Sequence, residues 1–220
     1  MRRGIAVLLL LLGISGAAFG QDATSGAAAD PVLMQRRLAL VLRQASQLYE
    51  AGDYRGALDH LGRLEGSAAH DLSVLNLRGA VLTKLGDYDQ ARQLFESILA
   101  ADPSYFPAAF NLGEVQFVRG DYEAALVSFE DMRRRDPRNE LVRFKVLLSH
   151  LLLGRDDAAR AMAAGLIPAG NTPAWYYAQA VIAKKGGDNR SAEKHLAAAR
   201  EIYGADGCKL FEESIGTVKF

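Results

Sequence analysis

The chain has 220 residues, of which 50% are hydrophobic, and it carries 26 basic and 26 acidic side chains. This balance of charge gives no general electrostatic reason to bind nucleic acid, so we expect no nucleic-acid partner. Cys208 is the single cysteine. An internal disulfide is therefore excluded and the fold depends on its core. The thiol is either buried or paired with another chain.

The first twenty residues have the pattern of a secretory signal peptide. Arg2 and Arg3 precede an apolar run, 4–14, and small residues follow it. This pattern predicts a signal peptide over 1–20, cleavage before Gln21 and an extracytoplasmic location, periplasmic or secreted. The alternative is an uncleaved N-terminal anchor, although the run is shorter than the roughly 20 apolar residues of a membrane span. The membrane would then be contacted only through this segment.

The next ten residues predict where the folded part begins. Residues 21–30 are small and polar, and we interpret them as a flexible leader. Asp30 and Pro31 predict a helix start. An aspartate caps free N–H groups there, and a proline at the first helical position loses no hydrogen bond.

A short motif recurs at a fixed interval along the remaining chain. Gly-Asp-Tyr begins at 52, 86 and 120, an interval of 34 residues each time. A period near 34 is typical of arrays of helix–turn–helix units. The glycines at this point of each copy, which we call the turn glycines, are Gly52, Gly86, Gly120, Gly154 and Gly187. Glycine readily takes the left-handed conformation that ends a helix, so each is expected to end a first helix.

Other residues recur in register with the turn glycines. An aspartate follows four of them and is expected to cap the second helix of the pair: Asp53, Asp87, Asp121 and Asp188. Small residues such as Gly113 and Ala125 are expected to face each other where the two helices approach most closely. A large apolar residue lies four positions after the small one in most copies, for example Phe129 after Ala125. This spacing puts both on one helical face.

Together these positions resemble the tetratricopeptide repeat. The matching residues are the small Ala45, Gly79, Gly113 and Ala180, the tyrosines Tyr54, Tyr88 and Tyr122, and the pairs Asp102-Pro103 and Asp136-Pro137. The resemblance implies an all-α fold, an α-solenoid of about five helix pairs with a short C-terminal capping helix. The implied repeat domain is 31–206, with copies at about 38–71, 72–105, 106–139, 140–172 and 173–206, followed by a cap and tail at 207–220.

The expected helix pairs are 31–51 with 54–65, 72–85 with 88–101, 106–119 with 122–135, 140–153 with 156–166, and 173–186 with 189–203. A further short helix is expected over 207–214, where Leu210 and Phe211 would cover the apolar end of the last pair. The fourth copy departs from the pattern, since Leu147 stands where a small residue is expected and Ala163 where a large one is. Either the two volumes are exchanged between the helices or the register shifts locally.

The sequence contains no motif for catalysis, metal binding or a cofactor. The histidines His60, His70, His150 and His195 fall in different copies without a common spacing. Paired cysteines, His-Glu-x-x-His and phosphate-binding glycine loops do not occur. We therefore predict a protein that is not an enzyme, with no catalytic residue, cofactor or metal. The alternative is a non-catalytic subunit or a concealed enzyme of envelope metabolism.

The resemblance also implies where a partner would bind. In this family, variable positions of each first helix line a concave groove that holds a peptide or a helix. In copies three to five these positions include Phe110, Glu114, Phe117, Phe144, Leu148, Tyr177 and Lys184, which we call the groove residues. Most are apolar or aromatic, which suits an amphipathic helix or an apolar segment of a partner protein. Glu114 and Lys184 would set its orientation.

Two further features concern this predicted groove. Asn76 and Asn111 lack the basic partners of the family's peptide-carboxylate clamp, so a charged C-terminal tail is not expected as the ligand. The alternatives to a partner are that the superhelix is tightly closed or that the C-terminal segment from Leu210 fills the groove. The function predicted from the sequence is an exported scaffold for protein–protein interaction, in a cell-envelope assembly.

Overall fold

The structure, a computed structural model, describes residues 31–168, 170–216 and Val218. The predicted signal peptide, 1–20, and leader, 21–30, lie outside the described residues. Within the described part of the chain every regular element is a helix, so the predicted all-α class is confirmed. The helices are α1 Pro31–Glu50, α2 Tyr54–Leu61, α3 Leu72–Leu85, α4 Tyr88–Ala101, α5 Phe106–Arg119, α6 Tyr122–Arg135, α7 Glu140–Leu152, α8 Asp156–Ala164, α9 Ala174–Lys185 and α10 Asn189–Gly216, with a 3-10 helix at Gly66–His70.

The described residues form two compact units, one over 31–107 and one over 108–218. In the first unit, α1 packs against α2, and α3 packs against α4 and α2. In the second unit, α7 packs against α6, α8 and α9, and α9 packs against α10. Each unit therefore has a core of its own between successive helices.

The turn glycines have the conformation that the repeat pattern predicts. All five have a positive φ, between 73° and 94°. An L-residue with a side chain rarely adopts this conformation. The Arg-Gly-Asp sequence at 119–121 is one of these turns, since Gly120 has φ 89°.

The aspartates that follow the turn glycines cap their helices in only some copies. The Asp53 carboxylate accepts a hydrogen bond from the Gly56 N–H at 2.9 Å, and Asp188 accepts one from the Ser191 N–H at 3.0 Å. The same prediction is wrong for Asp87 and Asp121, whose side chains make no capping hydrogen bond among the described residues. The Asp121 carboxylate instead lies 3.7 Å from Nε of Arg119.

The two helices of a pair meet most closely where a glycine faces a phenyl ring. A Cβ atom added at Gly79 would lie 2.6 Å from Cε1 of Phe95, and one added at Gly113 would lie 2.7 Å from Cε1 of Phe129. The nearest neighbour of Gly113 is therefore the ring of Phe129 and not the small Ala125 that the pattern suggested. Both phenyl rings are fully buried.

Several helix bounds differ from the sequence prediction, and the largest differences are in α2 and α10. α2 ends at Leu61 and not at 65, and Gly62 forms its C-terminal cap. This first copy lacks the Asp-Pro that ends the second helix of later copies, and a 3-10 helix follows instead. The predicted helices at 189–203 and 207–214 are joined into α10, with Gly204 between them at φ 69° and ψ 177°.

The contact between Gly113 and Phe129 gives a test of the helix pairing. Gly113→Ala should lower the free energy of unfolding by about 1–2 kcal/mol. Overpacking against the ring should exceed the roughly 1 kcal/mol gained in helix propensity. Denaturant unfolding of the double variant Gly113→Ala/Phe129→Leu should show a loss smaller than the sum of the two single losses.

Gly216→Ala is the matched control, because a Cβ atom there would meet nothing within 4 Å. It should change the free energy of unfolding by less than about 0.5 kcal/mol. An equal loss at 113 and 216 would contradict the close approach of α5 and α6.

Candidate functional site

All seven groove residues lie in the second unit, on three first helices. Phe110, Glu114 and Phe117 are on α5, Phe144 and Leu148 on α7, and Tyr177 and Lys184 on α9. On each helix they recur at intervals of three, four or seven residues, which places them on one face. Six of them are at most 2% exposed, and only Lys184 is more open to solvent.

The two phenylalanines of α5 pack against the second helix of their own pair. The ring centroid of Phe110 is 5.8 Å from that of Phe129, and the centroid of Phe117 is 5.4 Å from that of Tyr122. Both distances are typical of favourable aromatic pairs. These rings therefore hold α5 against α6, which accounts for their burial.

A buried ion pair joins α5 to α7. The Lys145 ammonium lies 2.7 Å and 2.8 Å from the two carboxylate oxygens of Glu114, and both side chains are at most 2% exposed. The same ammonium is 5.2 Å from the ring centroid of Phe117, a cation–π distance. Burial lowers the pKa of Lys145, while the negative charges of Glu114 and Glu213 act in the opposite direction. Carboxylates from two separate parts of the second unit, α5 and α10, thus favour the charged form of Lys145.

The groove residues of α7 and α9 are covered by the end of the chain. Residues 205–216, which follow Gly204 in α10 and which we call the C-terminal segment, place Phe211 between these two helices. The ring centroid of Phe211 lies 5.3 Å from that of Phe144 and 5.4 Å from that of Tyr177. Phe144 and Tyr177 also contact each other, at 6.2 Å. Three aromatic rings from α7, α9 and the C-terminal segment therefore form one cluster.

Polar contacts surround the aromatic cluster. The Tyr177 hydroxyl donates a hydrogen bond to Oε1 of Glu212 at 3.2 Å, and Nε of Arg200 donates to the same oxygen at 2.7 Å. Cys208 is buried, and its thiol is close enough to Tyr177 to affect the pKa of that hydroxyl. Burial, together with these contacts to Cys208 and Glu212, raises the pKa of Tyr177 well above its ordinary value. The hydroxyl therefore stays protonated and acts as a hydrogen-bond donor.

Sequence reasoning missed part of this arrangement. It did not identify Lys145 or Glu212. Its main expectation placed Phe211 over the apolar end of the last pair, whereas the ring packs between α7 and α9, as in the alternative in which the C-terminal segment fills the groove. One signal was available for Lys145, a charge that directly precedes the apolar residues Val146, Leu147 and Leu148 of α7. The binding of a partner by the groove residues stays a prediction.

In the second copy, which lies in the first unit, the positions equivalent to the groove residues include the polar Asn76 and Thr83. Asn76 is 5% exposed and Thr83 is 1% exposed, and the Thr83 hydroxyl donates to the carbonyl of Gly79 at 2.8 Å. A surface cavity of about 310 Å³ in this unit lies at Met34, Arg37, Leu38, Leu64, Glu65, Gly66 and Ala68. It lies away from the positions that the repeat pattern singles out.

The described part of the chain offers two negative findings. Across residues 31–168 and 170–216, His, Cys, Asp and Glu side chains do not gather in groups of three that could hold a metal ion. The helices formed by those residues are each too short or too polar to cross a membrane.

The arrangement of consecutive helix pairs, each closed by a left-handed glycine, defines an α-solenoid repeat protein. Two models of the tetratricopeptide repeat match the sequence, one over residues 42–106 and the other over residues 82–143. Residues 42–143 are therefore tetratricopeptide repeats. Repeats of this kind present extended surfaces that generally mediate protein–protein interaction.

Solved structures with the same fold cover most of the chain. A thermophilic tetratricopeptide repeat protein from Thermus thermophilus is 25% identical, with a TM-score of 0.66, and the match covers 81% of this chain and 98% of that one. A tetratricopeptide repeat protein from Parabacteroides merdae is 19% identical, with a TM-score of 0.64 and coverage of 83% and 71%. MamA from Desulfovibrio magneticus is 21% identical, with a TM-score of 0.57 and coverage of 75% and 94%. The last two similarities concern the fold alone.

The ion pair between α5 and α7 can be tested by removing one charge and then both. Lys145→Met should lower the free energy of unfolding by about 3–5 kcal/mol, because Glu114 would remain buried without its cation. Lys145→Met/Glu114→Leu should recover most of that loss, since no uncompensated charge remains. Both values would come from denaturant unfolding followed by circular dichroism.

The exposed pair of Arg134 and Asp131, at 3.1 Å, supplies the control. Arg134→Ala should change the free energy of unfolding by less than about 1 kcal/mol. If Lys145→Met were as mild as this control, the Lys145 ammonium would have to be solvated and not buried.

Proposed function

We propose that this protein is an exported scaffold for protein–protein interaction, which binds a peptide or an amphipathic helix of a partner against the groove residues of its second unit. The observation that carries the proposal is the occupied state of this face. A helical segment already lies on it, with Phe211 held between Phe144 and Tyr177. A surface that holds one amphipathic helix has the shape and chemistry to hold another.

The proposed place of action is the cell envelope. Its support is the charged, apolar and small-residue pattern of residues 1–20. A scaffold in that compartment would join the components of an envelope assembly. The tetratricopeptide repeats support the interaction role, and the N-terminal pattern supports its location.

Cross-linking from a single position tests the binding face. Phe110 and Phe144 are unsuitable for this purpose, because each is buried and its truncation to alanine would cost about 3–5 kcal/mol of stability. Lys184 is accessible at the end of α9, so a photoreactive amino acid there should be tolerated. In living cells of the source organism it should form a covalent adduct with a specific protein.

The matched control is the same photoreactive amino acid at Lys194, an exposed lysine of α10 that is not among the groove residues. It should give little or none of the same adduct. Equal adducts from both positions, or adducts from neither, would count against a partner on this face.

The location is tested separately. Cell fractionation with N-terminal sequencing should find the mature protein outside the cytoplasm, beginning at Gln21, because signal peptidase cuts after small residues such as those before it. An intact Met1 in the membrane fraction would establish an anchor in place of cleavage. An intact Met1 in the cytoplasm would refute export.

A further inference from the structure

The C-terminal segment is joined to the rest of α10 by a single unusual residue. Gly204 has φ 69° and ψ 177°, a conformation that is essentially confined to glycine. The residues before it are helical, and so are the residues after it. The C-terminal segment is therefore a short helix of its own, attached through a one-residue hinge.

The C-terminal segment has one buried face and one exposed face. Cys208, Phe211 and Ser214 recur every three residues and are buried, whereas Asp206 and Lys209 are exposed. Residues three or four apart lie on the same side of a helix. The segment is thus an amphipathic helix that lies with its apolar side against the groove residues of α7 and α9.

Two acidic residues of the C-terminal segment match the chemistry of the face below. Glu212 accepts hydrogen bonds from the Tyr177 hydroxyl and from Arg200. Glu213 acts electrostatically on Lys145. The accessible Lys184 lies seven residues after Tyr177 on α9, about two turns along the same side. The face therefore packs against the aromatic ring of Phe211, donates a hydrogen bond to the carboxylate that follows it, and has the buried Lys145 within electrostatic range of the next one.

The segment's own tendency to remain helical is low. It contains Gly207, and a glycine inside a helix costs about 1 kcal/mol relative to alanine. Isolated helices of about twelve residues are marginal in water. Because the segment is attached to the protein through Gly204, its local concentration at the groove is high, so even a weak intrinsic affinity keeps it in place.

We propose that the C-terminal segment is a displaceable internal occupant of the groove, and that the partner which replaces it is an amphipathic helix carrying an aromatic residue followed by acidic residues. This inference rests on the proposed function, because it assigns the chemistry of the partner at that same face. The segment leaves by rotation at Gly204. While it is bound, it keeps the aromatic cluster covered and lowers the apparent affinity of every competitor by the fraction of time the groove is open.

The first experiment measures competition in the full-length mature protein. The probe is a fluorescent synthetic peptide with the sequence of residues 205–216, in which serine replaces the cysteine, and binding is followed by fluorescence anisotropy. The Phe211→Ala protein should bind this peptide about tenfold or more tightly than the wild type, because its internal competitor is weakened. Ile202→Ala, at an exposed position before the hinge, should bind it as the wild type does.

The peptide itself tests the assigned chemistry. Replacing its phenylalanine with alanine, or both of its glutamates with glutamines, should weaken its binding to the Phe211→Ala protein about tenfold or more. Equal binding by the original and both altered peptides would overturn the aromatic-acidic assignment. Equal affinity of the wild-type and Phe211→Ala proteins for the original peptide would overturn internal competition.

A second experiment needs no substitution in the protein. Cys208 is buried and is the only thiol, so its rate of labelling by a thiol reagent reports opening of the segment. A saturating amount of the peptide should increase the labelling rate of the wild type several-fold, because the peptide replaces the segment in the groove. Hydrogen exchange should likewise show the amides of 205–216 opening at least about a hundredfold faster than those of α9.

The opposite results would establish a permanent cap. Exchange of 205–216 at the same rate as α9, with labelling unchanged by the peptide, would mean that the segment leaves only when the unit unfolds. That failure is distinguishable from failure of the proposed function. A permanent cap would still allow a specific adduct from Lys184, whereas a scaffold without a partner on this face would show peptide competition but no such adduct.

Discussion

The close contact between a glycine and a phenyl ring inside a helix pair is the constraint on which the other features depend. Gly79 meets Phe95 in the first unit and Gly113 meets Phe129 in the second, each at a position where a Cβ atom would overlap the ring. The ring of one helix thereby occupies the space that a side chain on the other would need. The two helices of the pair are thereby held in one relative position. The remaining faces of the first helix then contact neighbouring helices.

On one of those faces, the buried ion pair of Glu114 and Lys145 fixes the position of α5 along α7 more precisely than hydrophobic packing would. Moving two charges out of water is unfavourable, and their attraction offsets this only when the geometry is good. Here both carboxylate oxygens lie within 2.8 Å of the ammonium. A shift of α5 along α7 by one residue would separate the charges. The pair therefore opposes sliding between the third and fourth copies, and it fixes α7 so that Phe144 points to α9 and the C-terminal segment.

The turn glycines made the helices predictable, because one local conformation recurs wherever the spacing requires it. The bounds of α3, α4, α5 and α6 agree with the sequence prediction. The predicted bounds were less accurate where the pattern weakens. The first copy lacks the Asp-Pro pair of later copies, and its second helix ends at Leu61, earlier than predicted. In the fourth copy Leu147 and Ala163 are both buried while Gly154 keeps its positive φ, which favours an exchange of volume over a shift of register. The sequence left open whether a partner or the C-terminal segment fills the groove. The covering of Phe144 and Tyr177 by Phe211 depends on contacts between residues that are distant in the chain, which the repeat pattern does not specify.

The location of the C-terminal segment follows from the composition of the face that it covers. Phe144 and Tyr177 would present a large apolar surface if α7 and α9 were bare, and exposed apolar patches of this kind promote association. Burial of each such side chain contributes about 1.5–3 kcal/mol, enough to hold a short helix that has little stability of its own. A stronger attachment would close the face to any partner, and a weaker one would leave the rings in water. In the mechanism proposed above, Gly204 and Gly207 keep the attachment between these limits, so that a face built from aromatic side chains stays covered and is still available to a partner.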